Sequence, residues 1–516
     1  GVVVNTCLPK TAWPPTLSNI SQTPGDTSTD GGDTSLEISN TEIQGDVINQ
    51  TSSTGVSVSN STVETVKNTN GGFVTVSDST IEKGVENQDK DKGTITILGG
   101  KVPENVKNDP ENGITVVPAI EEGQILSSTG STYTDLATAL QQVPANGTLY
   151  LGEGTFPLSN NITLNKNVTI LGANAGIPAD SERKPESEIV VYEAQTDPNE
   201  SARISVASGK NVVFDGVTIS GSYGADVVAP MVKLNGTAQL TIVNSFVTDT
   251  GEEHSSGFGL INTMSATAGS KLTIAHSEIQ TVLGSQEDST YYAIGDGGVC
   301  ELDIHDNSFR LGSWLMFNIT ASGSIRDNVF YGREGQSGCA VNSTMLDGLV
   351  IEGNTLDETL SGTRFVISGT YTLTGNEFES LGDDLALYLW ESDNTKAVIT
   401  GNTFNLEEGS YGIRATDIDP VNNPQLVGDL ADLTIRDNIF HGTGGYQFRN
   451  DGWNGSLELS GNEFPDGMVI LNKKEDTSIS VTLPKGPSRS SYRFVGWEID
   501  GETYQPGDVI QVEASQ

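Results

Sequence analysis

The sequence predicts an all-β solenoid of short strands wound into stacked coils, and three observations predict it. An eight-residue phrase recurs down the second half of the chain: LDIHDNSF at 302–309, GSIRDNVF at 323–330, LVIEGNTL at 349–356, YTLTGNEF at 371–378, AVITGNTF at 397–404, LTIRDNIF at 433–440 and LELSGNEF at 457–464. Its Asn residues (Asn307, Asn328, Asn354, Asn376, Asn402, Asn438, Asn462) follow one another at steps of 21, 26, 22, 26, 36 and 24 residues. The apolar residues around them alternate and are β-branched or aromatic, as a half-buried strand requires, instead of recurring at helical spacing. A unit that cannot bury its own apolar side must stack on its copies, so each step reads as one coil.

The elements follow in chain order. Residues 1–33 are rich in Ser, Thr, Pro and Gly without apolar period and read as a linker or disordered lead-in. Residues 34–117 hold a second repeat, with SLEISNTEIQG from Ser35, VSVSNSTVET from Val56, VTVSDSTIEK from Val74 and ITILGGKV from Ile95. This block is either a small β-helix of its own or a sheet packed on the next domain. From Tyr133 to Gly172 the pattern gives a short amphipathic helix (Leu136, Ala139, Leu140, Val143), a strand, a GEGTF turn and a first coil. Such a cap covers core and strand edges that an open solenoid end would expose. About eleven coils then run to Phe464, a stack of roughly 50 Å at about 4.8 Å per coil. Within each phrase the Asn is expected to take the left-handed conformation at a sharp turn and to bond its amide to those above and below. The residue two places on, usually Phe, is expected to stack in the core.

The phrase, the coil length and the cap together resemble the right-handed parallel β-helix proteins of the pectate-lyase-like superfamily, over residues 118–472. The grammar changes at Thr477. SYRFVGWEIDGETYQPGDVIQV at 491–512 resembles the Listeria–Bacteroides repeat through Phe494, Gly496, Trp497, Asp500, Gly501, Tyr504, Pro506, Gly507 and Asp508. Residues 473–516 are therefore expected to form a partial, β-grasp-like module. The repeat normally closes with a further strand, so the stop at Gln516 suggests a parent protein that continues. What the resemblance implies is a large secreted or wall-attached bacterial protein, extracellular, held to the bacterial cell wall through parts outside this chain.

Composition narrows the partners. With 68 acidic against 27 basic residues and a net charge of −41, the surface repels nucleic acid and anionic membrane. No apolar run approaches the roughly 20 residues of a membrane span, and no secretory signal stands at Gly1, which is consistent with a mature or engineered start. Three cysteines, Cys7, Cys300 and Cys339, are too few for a disulfide framework. Cys300 and Cys339 read as buried small residues, and Cys7 lacks a lipidation context.

A β-helix hosts many activities, so function must come from a site. In LALYLWES, inward Leu385, Leu387 and Leu389 would leave Tyr388 and Trp390 outward, a stacking platform for sugar rings. In RFVIS, YGIRAT and YQFRN the same alternation puts Arg364, Arg414 and Arg449 outward. Stacked in register, Arg364, Tyr388, Trp390, Arg414 and Arg449 form one stripe, with outward Trp314 further along. Three arginines around two aromatics in so acidic a chain suggest a groove for a glycan, host or plant polysaccharide, and an anionic one in particular. Cross-strand Arg–aromatic packing is also an ordinary way to cover a sheet.

Catalytic candidates are Asp383 and Asp384, with Glu407 and Glu408 one coil on. The Asp pair resembles that of polygalacturonase-type glycosidases, in which one carboxylate protonates the leaving oxygen and another activates water. The Asn-Thr-Asp, Gly-His-Gly and Arg-Ile-Lys signatures of that family are missing at matching positions. A lyase would instead hold calcium on Asp383, Asp384, Asp417 and Asp419 with Arg414 as base. No motif implies another cofactor, and the histidines show no zinc or nucleophile spacing. The insertions 176–201 and 415–432 are where loops would add specificity. Three readings therefore stand: a surface, adhesin-like glycan binder, a polysaccharide lyase or glycoside hydrolase, and a structural stalk.

Overall fold

The computed structural model describes residues 36–191 almost throughout and, from 204 to 512, the strands and corners of every coil. Before residue 36 it describes 3–5, 16–17 and 20–22. The longer stretches outside the description are 51–54, 89–92, 192–203, 222–229, 250–259, 282–291, 332–338, 358–364, 382–387, 390–395, 407–410, 417–430, 442–445, 452–454, 464–469, 473–478, 487–492 and 513–516.

The chain is a three-sheet parallel β-helix preceded by a smaller two-sheet solenoid. The coils of the main body contribute strands to three sheets, of 16, 11 and 12 strands among the described residues, the 16 including three antiparallel strands at the ends. The first sheet runs in parallel register from Gly147–Leu151 to Ile479–Thr482, the second from Gly154–Leu158 to Ile439–His441, and the third from Ile162–Leu164 to Ile470–Asn472. Eleven strands in the second sheet agree with the coil number read from the phrases. One continuous apolar core fills the interior from Ile125 to Ile510. Neighbours adjust to each other's size: buried Tyr371 sits between Leu349 and the small Ala397 in the first sheet, as close packing requires.

The corner between the first and second sheets shows why the phrase is written as it is. All seven phrase Asn residues are at most 4% exposed. Each Nδ2 donates to the Oδ1 of the next Asn at 2.9–3.0 Å, from Asn307 through to Asn462. The backbone N–H of Asn307, Asn328, Asn354, Asn376, Asn402 and Asn438 donates to that same oxygen at 2.9–3.0 Å. Nδ2 also reaches the carbonyl of the preceding coil, as from Asn376 to Ile351 at 3.0 Å. The expectation that the Asn itself turns left-handed is corrected here. The positive φ belongs to the residue before it: Asp306, Asp327, Gly353, Gly375, Gly401, Asp437 and Gly461, with φ between 55° and 67°. Gly and Asp take that conformation at low cost, which leaves the Asn free to aim its amide inward.

Earlier coils continue the corner with hydroxyls. Ser277 N–H donates to Asn307 Oδ1 at 2.9 Å, and Ser245 N–H to Ser277 Oγ at 3.1 Å. The residue two places after the Asn stacks as expected. Phe309 lies on Phe330 at 5.1 Å, and Phe378, Phe404 and Phe440 are stacked at 4.7 and 4.9 Å between centroids.

Residues 36–117 resolve the alternative left open by their sequence: they form a solenoid of their own. Parallel strands alternate between a six-stranded and a five-stranded sheet around a separate Val/Ile core, and these sheets also take in Val3–Asn5, Thr16–Leu17 and Ile20–Gln22 from the segment expected to be a linker. Its corners repeat the device in miniature. Asn40, Asn60 and Asp78 carry the positive φ, and Thr41 and Ser61 donate N–H to Ser61 Oγ and Ser79 Oγ at 3.0 Å.

Both ends of the main solenoid are closed. At the start, helix Leu136–Gln142 buries Leu136, Ala139 and Leu140, and Asp135 caps it by accepting from Thr138 N–H at 2.8 Å. Antiparallel strands Ile125–Ser127 and Thr132–Tyr133 cover the first edge. At the far end Val509–Val512 pairs antiparallel with Ile479–Thr482, and Trp497, Ile499 and Tyr504 pack on the core. The C-terminal segment thus ends the parallel stack by occupying its edge.

Replacing Asn376 by Leu removes the oxygen that accepts from Asn354 N–H and Nδ2, and the Nδ2 that donates to the carbonyls of Ile351 and Thr374 and to Asn402 Oδ1. The expected outcome in chemical denaturation is a loss of roughly 3 kcal/mol or more, since each buried unpaired group costs about 1–3 kcal/mol.

Candidate functional site

The third sheet fixes which residues share a register position. One register column runs Ile204, Val232, Ile261, Ile294, Met316, Val341 and Phe365, and later Ile413, Phe448 and Ile470. Ile204, Val232, Ile261, Ile294, Met316 and Ile413 are buried, so this is the core column. The neighbouring column holds Asn342, Val366, Tyr388, Arg414, Arg449 and Leu471, paired one on the next. Three of the sequence-selected residues, Tyr388, Arg414 and Arg449, therefore occupy one register position on successive strands, about 4.8 Å apart.

Trp314 does not join them. Its register partners are Tyr292, which is buried, and Cys339, and it lies two residues before core-column Met316. The side chain of Trp314 lies outside the described residues. Arg364, Asp383, Asp384, Trp390, Glu407 and Glu408 lie outside the described residues, as do Asp417 and Asp419. Cys300 is a buried free thiol, with burial pushing its pKa up to about 11, which makes it unreactive.

A second place lies where the first insertion crosses the corner. Arg183 grips Glu186 through two contacts of 2.7 and 3.0 Å, donates to the carbonyls of Ile177 and Asn244 at 2.7 and 2.9 Å, and covers the Phe246 ring. Gly176 N–H and Asn244 Nδ2 both donate to Asp215 Oδ1 at 2.8 Å. Gly216 has φ 66°, and a Cβ there would meet Ala175 N at 1.9 Å, so only glycine lets the insertion pass. Leu98 and Val117 of the small solenoid pack with Leu171, Ala175 and Ile177, and Lys184 pairs with Asp78 at 2.9 Å. The insertion thereby fastens the two solenoids together.

Beside this seam opens a cavity of about 380 Å³, lined by Phe73 from the small solenoid, residues 178–181 of the insertion and the corner residues His276, Glu278, Asp306 and Asp327. Ala179 N–H donates to the His276 carbonyl at 2.9 Å. His276 borders this open space, yet the cavity walls hold its pKa below the ordinary imidazole value; desolvation is the main cause, partly opposed by Asp306. His305 Nδ1 lies 2.7 Å from Asp306 Oδ2. The signal for this cluster was in the sequence: His276-Ser277 and Asp306-Asn307 occupy the same phrase positions one coil apart.

No protein-family model matches the chain, and no curated protein matches it. No helix among the described residues is long and apolar enough to cross a membrane.

Asp215 predicts a pH dependence. Burial lifts its carboxyl to about 6, against the hydrogen bonds of Asn244 and Gly176 and the charge of Arg183. The folded state then binds this proton more tightly than the unfolded chain, so stability falls as pH rises from about 4 to about 6, by roughly 3 kcal/mol at most. Asp215→Asn keeps an acceptor for both donors, and denaturation midpoints measured from pH 4 to 7 should lose that component of the slope.

Proposed function

We propose that this chain is an extracellular, adhesin-like bacterial surface protein of pectate-lyase-like β-helix architecture that binds an anionic glycan along its third sheet. The observation that carries the reading is the shared register column of Tyr388, Arg414 and Arg449. A ring beside two guanidinium groups at one-coil spacing offers a sugar a stacking face and its carboxylate or sulfate groups bidentate donors. The insertion 415–432 leaves the same strand directly after Thr416, where a loop adds contacts to such a face. A chain with a net charge of −41 repels anionic ligands elsewhere, so the arginines also set orientation. The partial Listeria–Bacteroides resemblance at 491–512 supports the cell-surface placement.

The test is titration of the intact chain with uronate-containing and sulfated polysaccharides at two salt concentrations, alongside assay of reducing-end and unsaturated-product release. Arg414→Ala and Arg449→Ala should each weaken binding about 10- to 100-fold, the loss of one charge-assisted contact of roughly 1.5–3 kcal/mol. Asp384→Ala should bind as the parent does. Product release that disappears in Asp384→Ala would replace this reading with the polysaccharide lyase or glycoside hydrolase, and unchanged binding in both Arg variants would remove the stripe from it.

A further inference from the structure

We propose that His276, His305 and Asp306 form a site for one divalent transition-metal ion of the zinc class, opening into the cavity between the two solenoids. This site is separate from the third-sheet stripe and does not depend on it. One ligand atom from each of the three residues lies within 4.8 Å of the other two. An ion with bonds of about 2.0–2.2 Å to nitrogen and oxygen holds its ligands roughly 3–3.5 Å apart, a closure that side-chain rotation supplies at a cavity rim.

The backbone beneath the three residues is held by the ladder. His276 and Asp306 occupy the same left-handed corner position in successive coils, with φ of 50° and 55°. His276 N–H donates to the His305 carbonyl, and Asp306 N–H to that of Arg326, both at 3.3 Å. Ser277 and Asn307, the residues after these corners, are joined by the buried 2.9 Å bond of the ladder. The imidazole rings of His276 and His305 meet edge to face at 5.7 Å. Such a rigid base is what positions ligands for a metal.

The donor set selects the ion. Two imidazole nitrogens and one carboxylate oxygen suit zinc, nickel, cobalt or copper(II), whereas calcium needs six to eight oxygens and magnesium an oxygen octahedron. Asp180, Glu278 and Asp327 on the cavity wall add negative potential. Arg326, the cation nearby, lies 3.5 Å from Asp327. Three protein ligands leave a coordination position facing the cavity, as in sites that keep a water or an exchangeable ligand.

The experiment titrates the full chain, stripped with chelator, with zinc and separately with nickel, reading stoichiometry by calorimetry and the melting temperature with and without ion. One ion per chain at micromolar affinity and a higher melting temperature are expected, with no response to calcium or magnesium. His276→Asn and Asp306→Asn keep a residue that accepts the left-handed corner, so the fold survives. Each should lower zinc affinity at least tenfold. His305→Gln, outside that corner, should do the same. Absence of stoichiometric binding would overturn the proposal, and so would one-to-one binding retained in the three variants, which would place the ion at His254, His441 or elsewhere.

Discussion

Everything in this molecule hangs on the buried row of amides at the corner between the first and second sheets. A parallel β-helix must turn wherever its chain passes from one sheet to the next, and at this buried corner the turn leaves polar groups with no strand partner. The phrase answers with two adjacent residues of different duty. Gly or Asp takes the positive φ that bends the chain, and the Asn behind it points inward and satisfies the backbone and amide groups above and below. Because each Oδ1 accepts both the amide and the backbone N–H of the coil before it, neighbouring coils can stack only in one register. That register in turn sets the Phe stack, the core column of the third sheet and the column of Tyr388, Arg414 and Arg449.

The same constraint explains how the structure varies along its length. Where the corner carries Ser277 or Ser245 in place of Asn, a hydroxyl performs part of the task and the described part of the insertion 176–201 lies against the outside of the corner. Arg183, Asp215 and Gly216 are the points of attachment, and they are the residues whose burial or backbone conformation would otherwise be costly. The small solenoid is held through this insertion, so the cavity beneath Phe73 exists only because two independent coil stacks meet there. Asp215 keeps a carboxyl in a low-dielectric seam, and the resulting pH response belongs to the joint and not to either stack.

The ends follow from the open edges of parallel sheets. Antiparallel strands at 125–127 and 132–133, a seven-residue helix, and strand 509–512 at the opposite end each occupy hydrogen-bonding groups that would template association with another chain. The C-terminal segment carries its own small hairpin, yet Ile510 and Trp497 contribute to the main core, so its stability is shared with the solenoid it closes.

Much of the fold was legible in the chain because periodicity is local: strand alternation, the Asn phrase, the Phe two residues on and the amphipathic cap each need only a few neighbouring residues to be read. The alternation also picked out Tyr388, Arg414 and Arg449, which share one register position on successive strands. What the sequence by itself determined was the coil and its stacking, since a repeated unit with one apolar side has a single way to bury it. Only the tertiary structure decided which residue of the phrase bends the backbone, that residues 36–117 are a second solenoid, and that Phe73 of that solenoid faces the corner of His276 and Asp306. Those depend on the exact length of each coil and on how two stacks meet, and distance along the chain carries no record of either.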